Sequence, residues 1–150
     1  MADMGMRAHL IAVDQSSVEG LSDDQVYSLL NSSEAAGIDK SWEAAFPLVG
    51  SIAGTGMMLV DDPQPIGGDL GFGPAMFIEP GQVNAIAAHL AQADEATIES
   101  HWATLESPFM QPGMYDDDWG KDFAMNGYRQ IVHVFTTAAA ASQGVLFAIL

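Results

Sequence analysis

Few residues in this sequence have types and spacings that could do chemistry, and the first are Asp116, Asp117 and Asp118, the densest carboxylate run, followed at once by Trp119. Carboxylate oxygens are what hard cations take as ligands, but three consecutive side chains cannot converge on one ion, and no alternating ligands with a distal Glu surround them. The run is read as a solvated loop or the first turn of a helix, where negative charge is favoured by the helix dipole. Lys40, one of only four Lys and Arg residues, stands two positions before Trp42. Its ammonium is expected to find an acidic partner in Asp39 or in the 116–118 run. Lys40, Trp42, Gly73, Asp116, Asp118 and Trp119 are therefore the candidate ligand- or partner-binding residues. Two uses are open to them. One is a recognition surface for a basic protein, an inhibitor or immunity role being a concrete version. The other is a small-ligand enzyme or hydrolase using Lys40 with nearby carboxylates in a Trp-lined cleft, and the first is preferred.

Other chemistries find no support in the spacing. His9, His89, His101 and His133 fall on separate expected elements, and none pairs at the i, i+4 spacing of a helical metal site. No GxSxG turn supports a serine nucleophile. Gly71-Phe72-Gly73-Pro74 leads into a strand rather than a helix and is followed by no lysine, so it reads as a structural turn and not as a phosphate cradle. The nine methionines include one adjacent pair and suggest adaptable packing. No catalytic residue, metal or cofactor is expected.

Composition narrows the partners. The chain has 150 residues, 20 Asp plus Glu, a formal charge of −16 and no cysteine. Sixteen carboxylates would remain even if every Lys and Arg were paired, and they must lie at the surface because an unpaired buried charge costs several kcal/mol. Four cations cannot track a phosphate backbone, so nucleic acid is excluded as a partner. Solubility or salt adaptation explains such a surface, and so does a basic partner captured by electrostatic steering. The missing cysteines remove disulfide, thiolate and zinc-ribbon chemistry. The start of the chain carries no secretory pattern, which suggests a cytoplasmic protein. Residues 130–150 bear no formal charge over a length that could span a bilayer, but Ser142-Gln143-Gly144 interrupts them and no basic residue follows, so no membrane association is expected.

These candidates must be positioned by a fold, and 49% apolar residues are enough to build a core. Arg7–Val13 reads as a first strand bounded by Asp14 to Ser17. Ser22 with Gln25 forms a capping-box pattern ahead of Val26, Leu29 and Leu30, a helix that Gly37 closes. Residues 38–50 read as a second helix, kinked or ended early by Pro47. The segment 50–74 is punctuated by glycine and proline and reads as loop, with Met57–Val60 as a short strand or helix end. Ala75–Glu79 reads as a strand, Pro80 as the first position of a helix, and Asp94 as the cap of another. Ser107-Pro108 ends that helix, and a loop through 111–113 leads to the aspartates. From about Lys121 a long helix carries Ala124, Tyr128, Ile131, Val132, Phe135 and Ala138 at the 3.6-residue period, with Gly144 as its cap. Val145–Leu150 reads as a strand buried on both faces. The expected fold class is α/β: a single compact domain with a small mixed sheet covered by helices.

Several segments together resemble the YfbM-like family of bacterial proteins, a domain of unknown function. They are Met4-Gly5-Met6, Ile38-Asp39-Lys40-Ser41-Trp42, Gly67-Gly68 with Leu70 to Ala75, the Asp118-Trp119 region, and the terminal helix and strand. The resemblance implies one compact cytoplasmic domain over 1–150 and brings no catalytic residue with it. Relatives often carry histidine in the helix after the Lys-Ser-Trp motif, where this chain has Glu43 and Phe46.

Overall fold

The computed structural model describes residues 7–55, 59, 62–105 and 113–150. Ten elements follow in order: β1 (Ala8–Val13), α1 (Asp23–Leu30), β2 (Ala36–Ile38), α2 (Trp42–Ala53), β3 (Gln64–Asp69), β4 (Pro74–Ile78), α3 (Pro80–Gln92), α4 (Glu95–Ala103), α5 (Asp118–Ala140) and β5 (Gly144–Ile149), with a short 3-10 turn at Gln15–Val18. The fold is α/β. Its five strands lie in the order β2-β1-β5-β4-β3, so the C-terminal strand is the central one.

The alternation of β1 and β5 fixes the layers. Leu10, Val145 and Phe147 pack on one face with Phe46, Ile86, Ile131 and Phe135, while Ile11, Val13, Leu146 and Ala148 pack on the other with Val26 and Leu30. Thus α2, α3 and α5 cover one face, α1 covers the other, and α4 packs against α2. Burial on both sides explains why Val145–Ala148 is apolar without alternation.

The sheet is antiparallel in every pairing, not mixed. Helices inserted between strands normally indicate parallel crossovers, but here each returning strand enters beside its neighbour in the opposite direction. Two strands carry no sequence signal. Ala36–Ile38 pairs with β1 through three positions only, inside the segment assigned to the first two helices, so α1 ends at Leu30 and α2 begins at Trp42. Gln64–Asp69 contains Pro65, Gly67 and Gly68 and lies at the sheet edge, where a missing donor is tolerated.

Three signals at helix starts hold. Ser22 and Gln25 form the reciprocal capping box of α1, Pro80 occupies the first turn of α3, and the Asp94 side chain accepts the Thr97 N–H at 2.8 Å. Pro47 does not end α2, which continues to Ala53. Gly144 is not a helix cap but the first residue of β5. A Cβ there would run into the Phe77 ring and the Ile78 carbonyl. Instead α5 closes at Ala141, and Ser142 takes the left-handed conformation at φ 55°. The charge-free stretch 130–150 is split between α5 and β5, and among the described residues no helix is long and apolar enough to cross a membrane. Met57–Val60, apart from buried Leu59, the Ser107-Pro108 helix end, residues 111 and 112, and Met4-Gly5-Met6 lie outside the described residues.

Candidate functional site

The start of α5 is built from its aspartates. Asp117 is the N-cap, and its carboxylate accepts the Gly120 N–H at 2.8 Å, satisfying a donor that the first helical turn leaves open. Asp118 sits in the first turn, exposed, and Asp116 precedes the cap, also exposed. The turn is held from below. A Cβ on Gly120 would lie 2.8 Å from the Tyr115 Cα and still closer to the Met114 carbonyl, so only glycine lets the backbones meet.

Tyr115 anchors this junction. It is 5% exposed, and its hydroxyl donates to the Glu43 carboxylate at 3.1 Å, with the Lys40 carbonyl a longer 3.5 Å away. Trp102 meets its ring edge-on at a centroid distance of 6.3 Å. Burial, first, and the neighbouring Glu43 carboxylate, second, push the Tyr115 phenol far above its ordinary value, so it remains a donor. Glu43 is a buried carboxylate, 4% exposed, in the first turn of α2, where the helix dipole favours it. No spacing signal marks it in the sequence, because it is a lone acidic residue in an apolar helix.

On this pinned turn Trp119 faces solvent at 65% exposure, its ring stacked on Phe123 at 5.3 Å. Asp116, Asp118 and Asp122 are exposed on the same stretch. Trp42 has the opposite environment: it is 6% exposed and packs edge-to-face on Phe46 in the core. Lys40 is half-buried, and neither expected acidic partner holds it. Asp39 accepts from the Arg7 guanidinium at 2.7 Å, because the β1–β2 register sets Ala8 opposite Ile38 and so brings the flanking Arg7 and Asp39 together. Among the described residues Lys40 forms no ion pair.

Gly73 lies in the β3–β4 turn at φ 100°. The Asp69 carboxylate accepts the N–H groups of Gly71 and Gly73 at 2.7 and 3.0 Å, and these two bonds pull its pKa below the ordinary value. The glycines thus serve a turn. The strand registers put Gly73, Lys40 and the end of β5 at one end of the sheet. Since α5 runs into β5 through a short connection, its N-terminus projects from that same end. Gly73 and Lys40 still stand three strand spacings apart, about 14 Å, and form no common cleft.

The histidines lie on four different elements, β1, α3, α4 and α5, and among the described residues no group of three His, Asp or Glu could hold a metal. One pairing escaped the sequence: the Ser51 hydroxyl and His101 Nδ1 are 2.7 Å apart, joining α2 to α4. Among the described residues no carboxylate hydrogen-bonds His101, so a Ser-His-acid relay is not assembled.

The fold and this pole define a small α/β protein that presents a stacked aromatic pair within a carboxylate-rich helix start. The chain belongs to the domain of unknown function DUF1877, whose family model matches residues 4–148. No curated protein and no solved structure matches it.

Proposed function

We propose that this chain is a non-enzymatic binding protein whose α5 N-terminal pole docks a basic protein. One observation carries the reading: Trp119 is 65% exposed and stacked on Phe123 among Asp116, Asp118 and Asp122. An aromatic face beside carboxylates suits an arginine or lysine side chain, which gains cation–π attraction and charge-assisted hydrogen bonds together. Asp117, Gly120 and Tyr115 hold the helix start that carries Trp119, and the stack on Phe123 restricts the ring itself, which lowers the ordering cost of binding. The charge of −16 adds long-range steering. The finer kinship is with the YfbM-like proteins, supported by the Lys40-Ser41-Trp42 and Gly67 to Ala75 segments, and the setting is a bacterial cytoplasm.

An oligoarginine peptide titrated into the whole protein, followed by tryptophan fluorescence, tests the reading. Trp119→Ala, and Asp118→Asn with Asp122→Asn, should each weaken binding by about tenfold, the cost of one charge-assisted contact. Asp24→Asn with Glu34→Gln, the same charge change on the exposed face around α1, should cost far less. Equal losses from both double variants would reduce the interaction to net charge and overturn the site.

A further inference from the structure

A groove of about 430 Å³ runs between α4 and α5, within the size range of small-ligand sites. Its lining is mixed: Glu95, Asp118 and Asp122 carry negative charge, Arg129 positive charge, and Ile98 and Met125 are apolar. Two of the four Lys and Arg residues of a strongly acidic chain meet here, and they are used differently. Lys121 bridges the helices by pairing with Glu99 at 2.5 Å. Arg129 is exposed and, among the described residues, forms no ion pair.

Tyr128 also lines the groove. It is only 4% exposed, yet among the described residues its hydroxyl makes no hydrogen bond. Among the described residues no fully sealed side-chain oxygen or nitrogen lacks a partner, so the Tyr128 hydroxyl keeps a small contact with solvent. A hydroxyl without a partner on a largely buried residue that borders a groove is a group that a ligand can satisfy.

The charges are ordered along α5. Asp118 and Asp122 lie toward one end, with Lys121 between them neutralised by Glu99 across the groove and Glu95 adding a further carboxylate from α4, and Arg129 lies seven residues beyond Asp122, about 10 Å at 1.5 Å per residue. A simple anion would be repelled by the carboxylates and a simple dication by Arg129. A molecule with both charges, about 10 Å apart, fits both ends, and an extended peptide of about three residues has that length. We propose that the α4–α5 groove binds a short peptide with free termini, its ammonium at Asp118 and Asp122, its carboxylate on Arg129, and its backbone within reach of the Tyr128 hydroxyl.

Calorimetry of the full chain with trialanine, N-acetyl-trialanine and trialanine amide tests this. Trialanine should bind, and either cap should weaken it by about tenfold or more, as expected for losing a charge-assisted contact. Arg129→Gln should produce the loss seen with the amide, and Tyr128→Phe a smaller one, with thermal melts showing both variants folded. Trp119→Ala, which removes the contact proposed for a basic protein, should leave trialanine binding intact, so the two readings fail separately. No binding at millimolar peptide, equal binding of the capped forms, or undiminished binding to Arg129→Gln overturns the proposal.

Discussion

Residues of one type meet different fates here, and the difference is environmental. Trp119 follows three aspartates and is exposed, while Trp42 follows Lys40-Ser41 and is core. Nothing in the sequence separated them, since both stood as candidates for a Trp-lined cleft and both equally as core anchors. An aromatic beside a lysine or beside aspartates suits a pocket as well as a core. His9 shows the same effect on titration. It is 8% exposed on β1, and its Nδ1–H donates to the Leu30 carbonyl at 2.9 Å. Burial pulls its pKa below the ordinary 6.5, the Leu30 bond partly opposes this, and the Arg7 charge adds to it. A folded pKa below the unfolded one means that the unfolded chain takes up the proton first. Stability from this group is therefore complete above about pH 6.5 and is lost as pH falls through and below that value. His9→Gln, which keeps a donor but does not titrate, should flatten the decline between about pH 7 and 5, read as urea midpoints across that range. An unchanged slope would exclude His9 as its source. Asp69 and Asp94 have depressed pKa values, so their contributions are lost only in a separate window below about 3.8.

Among the elements, helix starts were the most legible features because their caps are local, while the glycines read as helix ends, Gly37 and Gly144, fall in strands. Ser22 with Gln25, Pro80 and Asp94 act within four residues of chain, and their roles follow from side-chain chemistry alone. The edge strands β2 and β3 were not legible. Three residues are too few for a period, and an edge strand with Pro65 and two glycines has the composition of a loop. The two glycines of β3 have a tertiary reason: the Gly68 N–H donates to Asp23 at 2.9 Å, and a Cβ on Gly67 would lie 2.6 Å from the same carboxylate. Gly144 is explained in the same way, by the Phe77 ring and Ile78 carbonyl against β5. Gly144→Ala should destabilise the protein by about 1–3 kcal/mol through overpacking, measured by urea unfolding. A helix-cap glycine in the left-handed region would instead lose about 1 kcal/mol for conformational reasons and leave the sheet packing intact. Near-ultraviolet circular dichroism around Phe77 separates the two.

At the scale of the molecule, charge and core act in opposite directions. The formal charge of −16 repels itself across a small surface, and only two ion pairs form among the described residues, one of them well exposed. Such pairs contribute about 0–1 kcal/mol each, too little to offset the repulsion. Raising sodium chloride from about 10 mM to 1 M shortens the screening length from about 30 to 3 Å, so the melting temperature should rise. A falling melting temperature would show that specific ion pairs outweigh the general field. The amino-acid sequence alone determined a largely acidic exterior, to which buried Glu43 is an exception, the N-terminal caps of α1, α3 and α4, the long α5 with its apolar stripe, and a final strand buried on both faces, because each follows from composition or from spacing within one element. Tertiary structure decided the antiparallel order that brings β5 to the centre, the burial of Glu43 beneath Tyr115, the pairing of Arg7 with Asp39, and the placing of Lys121, Tyr128 and Arg129 along one groove. Those outcomes depend on strand registers and helix approaches between residues far apart in the chain, for which no local periodicity exists.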